Sequence, residues 1–248
     1  AYPVQMFMIA VCVGTGVGVN ALLSRRLGEQ DRAGASAVAM NGVFVYLLSW
    51  LVFLLFGLFL ARPFMGFFTC DPLITDYGGI YLSIVTCCSV GITMQFATER
   101  ILLASGDPLG PMIIQGIGAV LNLILDPLLI FGCGPVPPLG VAGAALATVS
   151  GQLLGMTVGF FLVSGRKDLS LSARRFRPSG DVIRDIYRIG LPAIVMQSLA
   201  AFMTLGLNKI RALFSESAVF ILGVYFKIQS FIFMPVFGLN NGLTPVVG

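Results

Sequence analysis

Histidine is missing from this sequence, and charge of either sign is scarce. Of 248 residues none is His, and charged side chains make up only 10%. Without imidazole, Ser–His and Cys–His catalysis, histidine zinc sites and histidine proton relays are excluded within these residues. So little charge excludes an ordinary soluble domain, in which roughly a quarter of residues are charged. The five cysteines (Cys12, Cys70, Cys87, Cys88, Cys133) form no CxxC pair, and most fall inside apolar runs, where they act as small hydrophobes. Cys70 and Cys133 come out on the same side of the predicted topology, so a disulfide is conceivable. The odd count and scattered spacing argue against a disulfide framework. The first apolar run has no basic segment before it and no small-residue cleavage site after it, so it does not read as a signal peptide.

What is present is apolar. The sequence is 57% hydrophobic, with 30 glycines and 13 prolines, and its mean hydropathy is +0.95. This composition predicts an all-α integral membrane protein, a multi-span helical bundle with about seven spans. The spans cover about 1–23, 35–60, 74–103, a fourth that opens near Pro111 and closes at Phe131, 141–163, 189–214, and 218 to the last residue. Gly14, Gly16 and Gly18 are expected to open one face of the first span for close packing. Gly151, Gly155 and Gly159 are expected to do the same on the fifth. The pairs Arg62-Pro63 and Asp71-Pro72 predict a loop, and the third span is long enough to be tilted or partly interfacial. Asp181 to Ile189 alternates charged and apolar residues at helical spacing, as in a surface-lying lead-in helix.

The net charge of +4 carries no nucleic-acid signal; it follows the loops. Those after spans one, three and five hold Arg25, Arg26, Arg32, Arg100, Arg166, Lys167, Arg174, Arg175, Arg177, Arg184 and Arg188, most of the 15 basic residues. By the positive-inside rule these loops are cytoplasmic, in a multi-pass protein of the cell membrane.

The most informative stretch is Gln115-Gly-Ile-Gly-Ala-Val-Leu-Asn122-Leu-Ile-Leu-Asp126-Pro127. Asn122 and Asp126, four residues apart, share one face of a helix, and Gln115 falls on nearly the same stripe. Pro127 has no N–H, which leaves the Leu123 carbonyl without its helical partner. A carboxylate, an amide oxygen and a free carbonyl can hold a small cation or a proton, and in lipid such a group is a functional site by default. Thr148 on the fifth span is placed to complete that site with its hydroxyl. Adjacent Glu99 and Arg100 do not face each other on a helix and are not read as an ion pair.

An ungapped alignment of residues 1–24 on 225–248 matches Gln5 with Gln229, Phe7 with Phe231, Gly14 with Gly238 and Gly18 with Gly242. An even number of spans per repeat predicts two parallel halves. The counterpart of the sixth span would fall before residue 1. The chain is therefore expected to be an excerpt of a protein with roughly a dozen spans, lacking one helix in front and several behind.

A helical bundle with an intramembrane acid and no catalytic constellation reads as a secondary transporter rather than an enzyme. An intramembrane enzyme would need a nucleophile–base pair or a metal cluster, and a channel would need a filter motif; none is visible. No cofactor is expected beyond Na⁺ or H⁺ as coupling ion.

Several motifs resemble the multidrug and toxic compound extrusion (MATE) family, in its DinF-like/MepA-like branch. They are Gly18-Val-Asn-Ala-Leu-Leu-Ser-Arg-Arg-Leu-Gly28, then Gly106-Asp-Pro108 with Pro111-Met112, and Asn122-Leu-Ile-Leu-Asp126-Pro-Leu-Leu-Ile-Phe131. Leu139-Gly-Val-Ala-Gly-Ala-Ala-Leu-Ala-Thr148, Ile189-Gly-Leu-Pro192 and Phe237-Gly-Leu-Asn-Asn-Gly242 complete the set. The resemblance implies a two-lobe, twelve-helix exporter of organic cations and toxic compounds, monomeric, working by Na⁺ or H⁺ antiport and alternating access. On that basis residues 1–164 form an amino-terminal lobe lacking its first helix, 165–188 a basic cytoplasmic linker, and 189–248 the start of the second lobe. Asn122 and Asp126 match the cation-coupling positions, which would hold Na⁺ if sodium is the coupling ion, and Thr148 matches a hydroxyl near them. Gln115, Gln197, Asn208 and Lys227 are expected to line the cavity. A related lipid-linked saccharide flippase is the alternative within transport.

Overall fold

Apolar runs of 20 residues or more bury their backbone polar groups only as helices, and the computed structural model is helical throughout the residues it describes: 2–68, 72–132, 137–165 and 178–212. In order they form α1 (Tyr2–Gly28), α2 (Arg32–Phe59), α3 (Ala61–Phe68), α4 (Pro72–Cys87), α5 (Val90–Ala104), α6 (Leu109–Phe131), α7 (Gly140–Ser164) and α8 (Gly180–Ala212). Among the described residues α1, α2, α6 and α7 are each long and apolar enough to cross a membrane; α4 and α5, taken together as one span, make a fifth, bent by 42°. The predicted seventh span and residues 225–248 of the repeat lie outside the described residues, as do Cys70 and Cys133. Cys12, Cys87 and Cys88 are free thiols.

The element boundaries follow local chemistry. Helix α1 carries the basic Arg25 and Arg26 in its last turn, where cations suit the helix dipole. It therefore runs past residue 23, where the sequence placed the end of the first span. The reversal comes at Gln30, whose φ of 59° is left-handed. Asp31 then caps α2 by accepting from the Gly34 N–H at 2.9 Å.

Four sequence expectations are corrected. Arg62 and Pro63 sit in the first turn of α3 rather than in a loop, a position where proline's missing N–H costs nothing. The 74–103 span is broken at Cys88–Ser89 rather than continuous. At the break Ser89 Oγ donates to the Thr86 carbonyl at 2.7 Å, the kind of hydroxyl that satisfies backbone groups at a bend. The lead-in and the sixth span are one helix, α8, with Pro192 inside it.

The fourth concerns α1. Residues two apart on a helix point in nearly opposite directions, so its three glycines do not share a face. A side chain on Gly14 or Gly18 would strike Ile194 or Ile186 of α8, whereas one on Gly16 would meet Arg100 and Tyr46 on α5 and α2.

Helix α1 is the central post, packing on α8, α2 and α5, while α6 lies chiefly on α7. The core runs along α1 in three groups. Leu23 with Ala35, Val38, Ile101, Leu102 and Ile114 fills one end. Cys12, Val19, Tyr46, Met94 and Ile186 fill the middle. Val4, Met8, Phe53, Met65 and Leu82 fill the other end. Helix α7 presents Gly151, Gly155 and Gly159, all buried, and α6 comes so close that a methyl group on Gly151 would lie 2.8 Å from the Gly118 carbonyl oxygen. The opposite side of α6 exposes Met112, Ile113, Val120, Leu123 and Ile124, an apolar surface suited to hydrocarbon.

Candidate functional site

Close approach of α6 to α7 brings the polar stripe of α6 against the backbone of α7. The Asn122 side chain bridges the two helices. With its amide assigned in the orientation that satisfies both ends, its nitrogen donates to Asp126 Oδ2 at 3.0 Å and its oxygen accepts from the Thr148 N–H at 3.2 Å. Pro127 is accommodated within α6, so the carboxylate is presented from a continuous helix. Thr148 reaches this cluster through its backbone. Its hydroxyl is turned back along α7, donating to the Ala144 carbonyl at 3.0 Å, rather than across to Asp126 as the sequence suggested.

Beside the pair lies a cavity of about 270 Å³, lined by Gln95, Gln115, Gly118, Ala119, Asn122, Thr148, Gly151 and Gln152. Three of the predicted site residues, Gln115, Asn122 and Thr148, thus share one concavity. Asp126 sits next to it through its bond to Asn122. Gln197 does not join them. It is exposed on α8, a helix that packs on α1 and α2. The side chain of Asn208 and the whole of Lys227 lie outside the described residues.

Sequence reasoning passed over one member. Glu99 on α5 is 4% exposed. Its Oε1 accepts from Gln95 Nε2 at 2.9 Å and its Oε2 from Gln115 Nε2 at 3.1 Å. The neighbouring Arg100 turns away, its guanidinium 6.0 Å from the Phe96 ring centroid, and Arg25, Arg26, Glu29 and Asp31 make the ion pairs found among the described residues. The signal was present in the sequence: Gln95 and Glu99 repeat the amide–carboxylate spacing of Asn122 and Asp126. Depth along the spans set the two acids apart. Gln115, reaching from the start of α6 back to the end of α5, bonds Glu99 and lines the same cavity as Asn122.

Amides of α5, α6 and α7 line a cavity between helices, with Glu99 and Asp126 each next to one of them, an arrangement found in transporters. A profile of the MatE family matches residues 1–128, and the chain belongs to that family. It is 26% identical over 245 residues to the multidrug export protein MepA of Staphylococcus haemolyticus, across 98% of this chain and 53% of that protein. The chain thus spans about half the length of the curated relatives it matches. A solved outward-facing MATE transporter of the MOP superfamily aligns at TM-score 0.87 with 25% identity, covering 99% of this chain and 54% of that one. A MOP superfamily transporter from Pyrococcus furiosus aligns equally well, at 0.87 and 25% over 99% and 54%. Its description reports a binding pocket of reverse polarity that suggests a different function.

Proposed function

We propose that this chain is part of a secondary multidrug efflux transporter of the cell membrane, monomeric, exporting cationic compounds in exchange for Na⁺ or H⁺. Residues 1–164 would form most of the amino-terminal lobe, 165–188 the linker and 189–248 the start of the second lobe. The single observation that carries the reading is the juxtaposition of Asp126 and Asn122 on α6, an ionisable group beside an amide within a membrane span and against a cavity.

The cycle follows from the charge on Asp126. When ionised, it accepts the Asn122 N–H, and Asn122 in turn presents its oxygen to α7. Protonation cancels the charge that strengthens this bond and leaves a carboxyl that can itself donate, which weakens the α6–α7 polar contact and favours a different packing of the lobe. Sodium would act through the same two residues. Asn122 would then turn its amide so that its oxygen, not its nitrogen, faces the carboxylate, since a hard cation takes oxygen ligands. No three His, Cys, Asp or Glu side chains converge among the described residues, so a multi-carboxylate cage for a divalent ion does not fit. A carboxylate–amide pair suits a proton or a monovalent cation. Cationic cargo competes with the coupling ion for negative potential, so loading one favours release of the other.

The test is dye uptake into everted vesicles carrying the complete reading frame, under an imposed pH gradient and separately an imposed Na⁺ gradient. Wild type should accumulate a cationic dye under one of them, and Asp126→Asn should not. Undiminished uphill uptake by Asp126→Asn would remove Asp126 from the coupling site.

A further inference from the structure

The break between α4 and α5 frees a backbone acceptor, and α2 fills it. In an unbroken helix the Cys87 carbonyl would accept from the Gly91 N–H. Here that N–H turns to the Cys88 carbonyl at 3.3 Å, so the Cys87 oxygen loses its helical partner within a span bent by 42°. Lipid offers no replacement. Trp50 on α2 supplies one, its Nε1 donating to the Cys87 carbonyl at 3.2 Å. It is the one tryptophan of the sequence. A tryptophan in a membrane helix commonly turns its N–H to the headgroup region, whereas this half-buried indole spends it on a neighbouring helix. Gly57, roughly two turns further along α2, lets the helices close on the break, because a side chain there would strike Thr86 and Cys87.

The bend decides where α5 points. Glu99 lies roughly three turns beyond Ser89, about 15 Å along the axis, so a change of about 10° at the break would carry it sideways by about 2.5 Å. That is enough to break the 3.1 Å bond through which Gln115 ties α6, the helix of Asp126, to α5. Helix α7 does not fix the angle instead, since it presents Gly155 and Gly159 to Gln95 and Thr98.

We propose that Trp50 is a positioning residue of the transport cycle: by holding the Cys87 carbonyl it keeps the α4–α5 span bent, and the bend sets the angle at which α5 and, through Gln115, α6 meet α7. The proposal rests on the efflux reading above and adds to it a control point away from the polar cluster, since Trp50 does not line the cavity. Straightening the span would return the Gly91 N–H to Cys87 and strand the indole N–H. The Trp50 bond therefore weights the balance between two packings of the lobe toward the bent one.

The experiment uses the complete transporter and reads two things. Spin labels on Tyr77→Cys in α4 and Met112→Cys in α6, both exposed positions, report the distance across the bend by pulsed electron paramagnetic resonance, with the native thiols replaced. Dye uptake into everted vesicles reports transport. Trp50→Phe keeps an aromatic ring and removes the N–H. It should shift or broaden the distance distribution by at least about 3 Å. It should also lower the maximal rate of gradient-driven uptake by at least about threefold, with the KM for dye within about twofold of wild type. An unchanged distance distribution overturns the proposal, and so does a changed one with wild-type uptake. A loss of rate matched by an equal rise in KM marks general damage and overturns it as well. Should Trp50→Phe fail to accumulate in the membrane, Gly57→Ala gives the same decision, because the added methyl forces α2 away from the break and lengthens the same bond. If wild type shows no gradient-driven uptake, the efflux reading falls and takes this proposal with it. If wild type transports and the variants match it, only the role of Trp50 is lost.

Discussion

Glu99 and Gln115, sixteen residues apart on consecutive helices, are joined by a 3.1 Å hydrogen bond that ties the end of α5 to the start of α6. The bond spans the 105–108 turn and ends on a buried carboxylate, so it fixes the angle at which α6 leaves that turn as well as the wall of the cavity. Removing it leaves Glu99 with one donor in place of two. Gln115→Leu should destabilise the protein by about 1–3 kcal/mol, the cost of an unsatisfied buried polar group. A lowered Tm in detergent checks this, and an unchanged Tm would mean that water replaces the amide.

Asn122→Ala tests the other junction. It takes from Asp126 its hydrogen-bond donor and from α7 the partner of the Thr148 N–H. Gradient-driven dye uptake should fall by roughly tenfold or more, comparable to the loss of a charge-assisted hydrogen bond, while the amount of protein in the membrane stays the same.

Thr148→Val separates two ways in which Thr148 could serve the site. Its hydroxyl bonds within α7 and only its backbone N–H approaches Asn122. Valine keeps that N–H and the side-chain volume. Transport by Thr148→Val should stay within about twofold of wild type, since the helix keeps its own backbone bond and loses only a back-bonded hydroxyl. A loss as large as that of Asp126→Asn would place the hydroxyl at the ion instead.

Packing of α6 on α7 predicts a contrast between two glycines of similar sequence setting. A methyl group on Gly151 would lie 2.8 Å from the Gly118 carbonyl oxygen, whereas one on Gly116 meets nothing within 4 Å. Gly151→Ala must push the helices apart and should cost about 1–3 kcal/mol. Gly116→Ala should be neutral or stabilising by up to about 1 kcal/mol, because alanine restricts the unfolded chain. Thermal unfolding of the two variants side by side decides it.

Asn41 offers a fifth test, away from the cavity. Buried on α2, it accepts from the Ser179 N–H at 3.0 Å, which anchors the residue just before α8. Asn41→Leu should remove that anchor and cost about 1 kcal/mol, read as a lowered Tm in detergent, without altering dye binding.

Hydropathy, helical periodicity and the Asn122–Asp126 stripe were legible in the sequence because each is a local property. An apolar run in lipid has no choice but helix, and four-residue spacing puts two side chains on one face whatever the helix packs against. The family resemblance rested on the same contiguous motifs. Contacts between helices were not legible, because they depend on which faces of distant segments meet. Gln115 could be placed near the Asn122 stripe from spacing, but that it holds Glu99 follows only from the angle between α5 and α6. Gly14, Gly16 and Gly18 looked alike in the sequence, yet two serve α8 and one makes room for Arg100 and Tyr46. Thr148 was placed at the site, while its backbone rather than its hydroxyl reaches it. Periodicity specifies the face a residue occupies; packing, set by the size of every side chain between two helices, decides what that face touches.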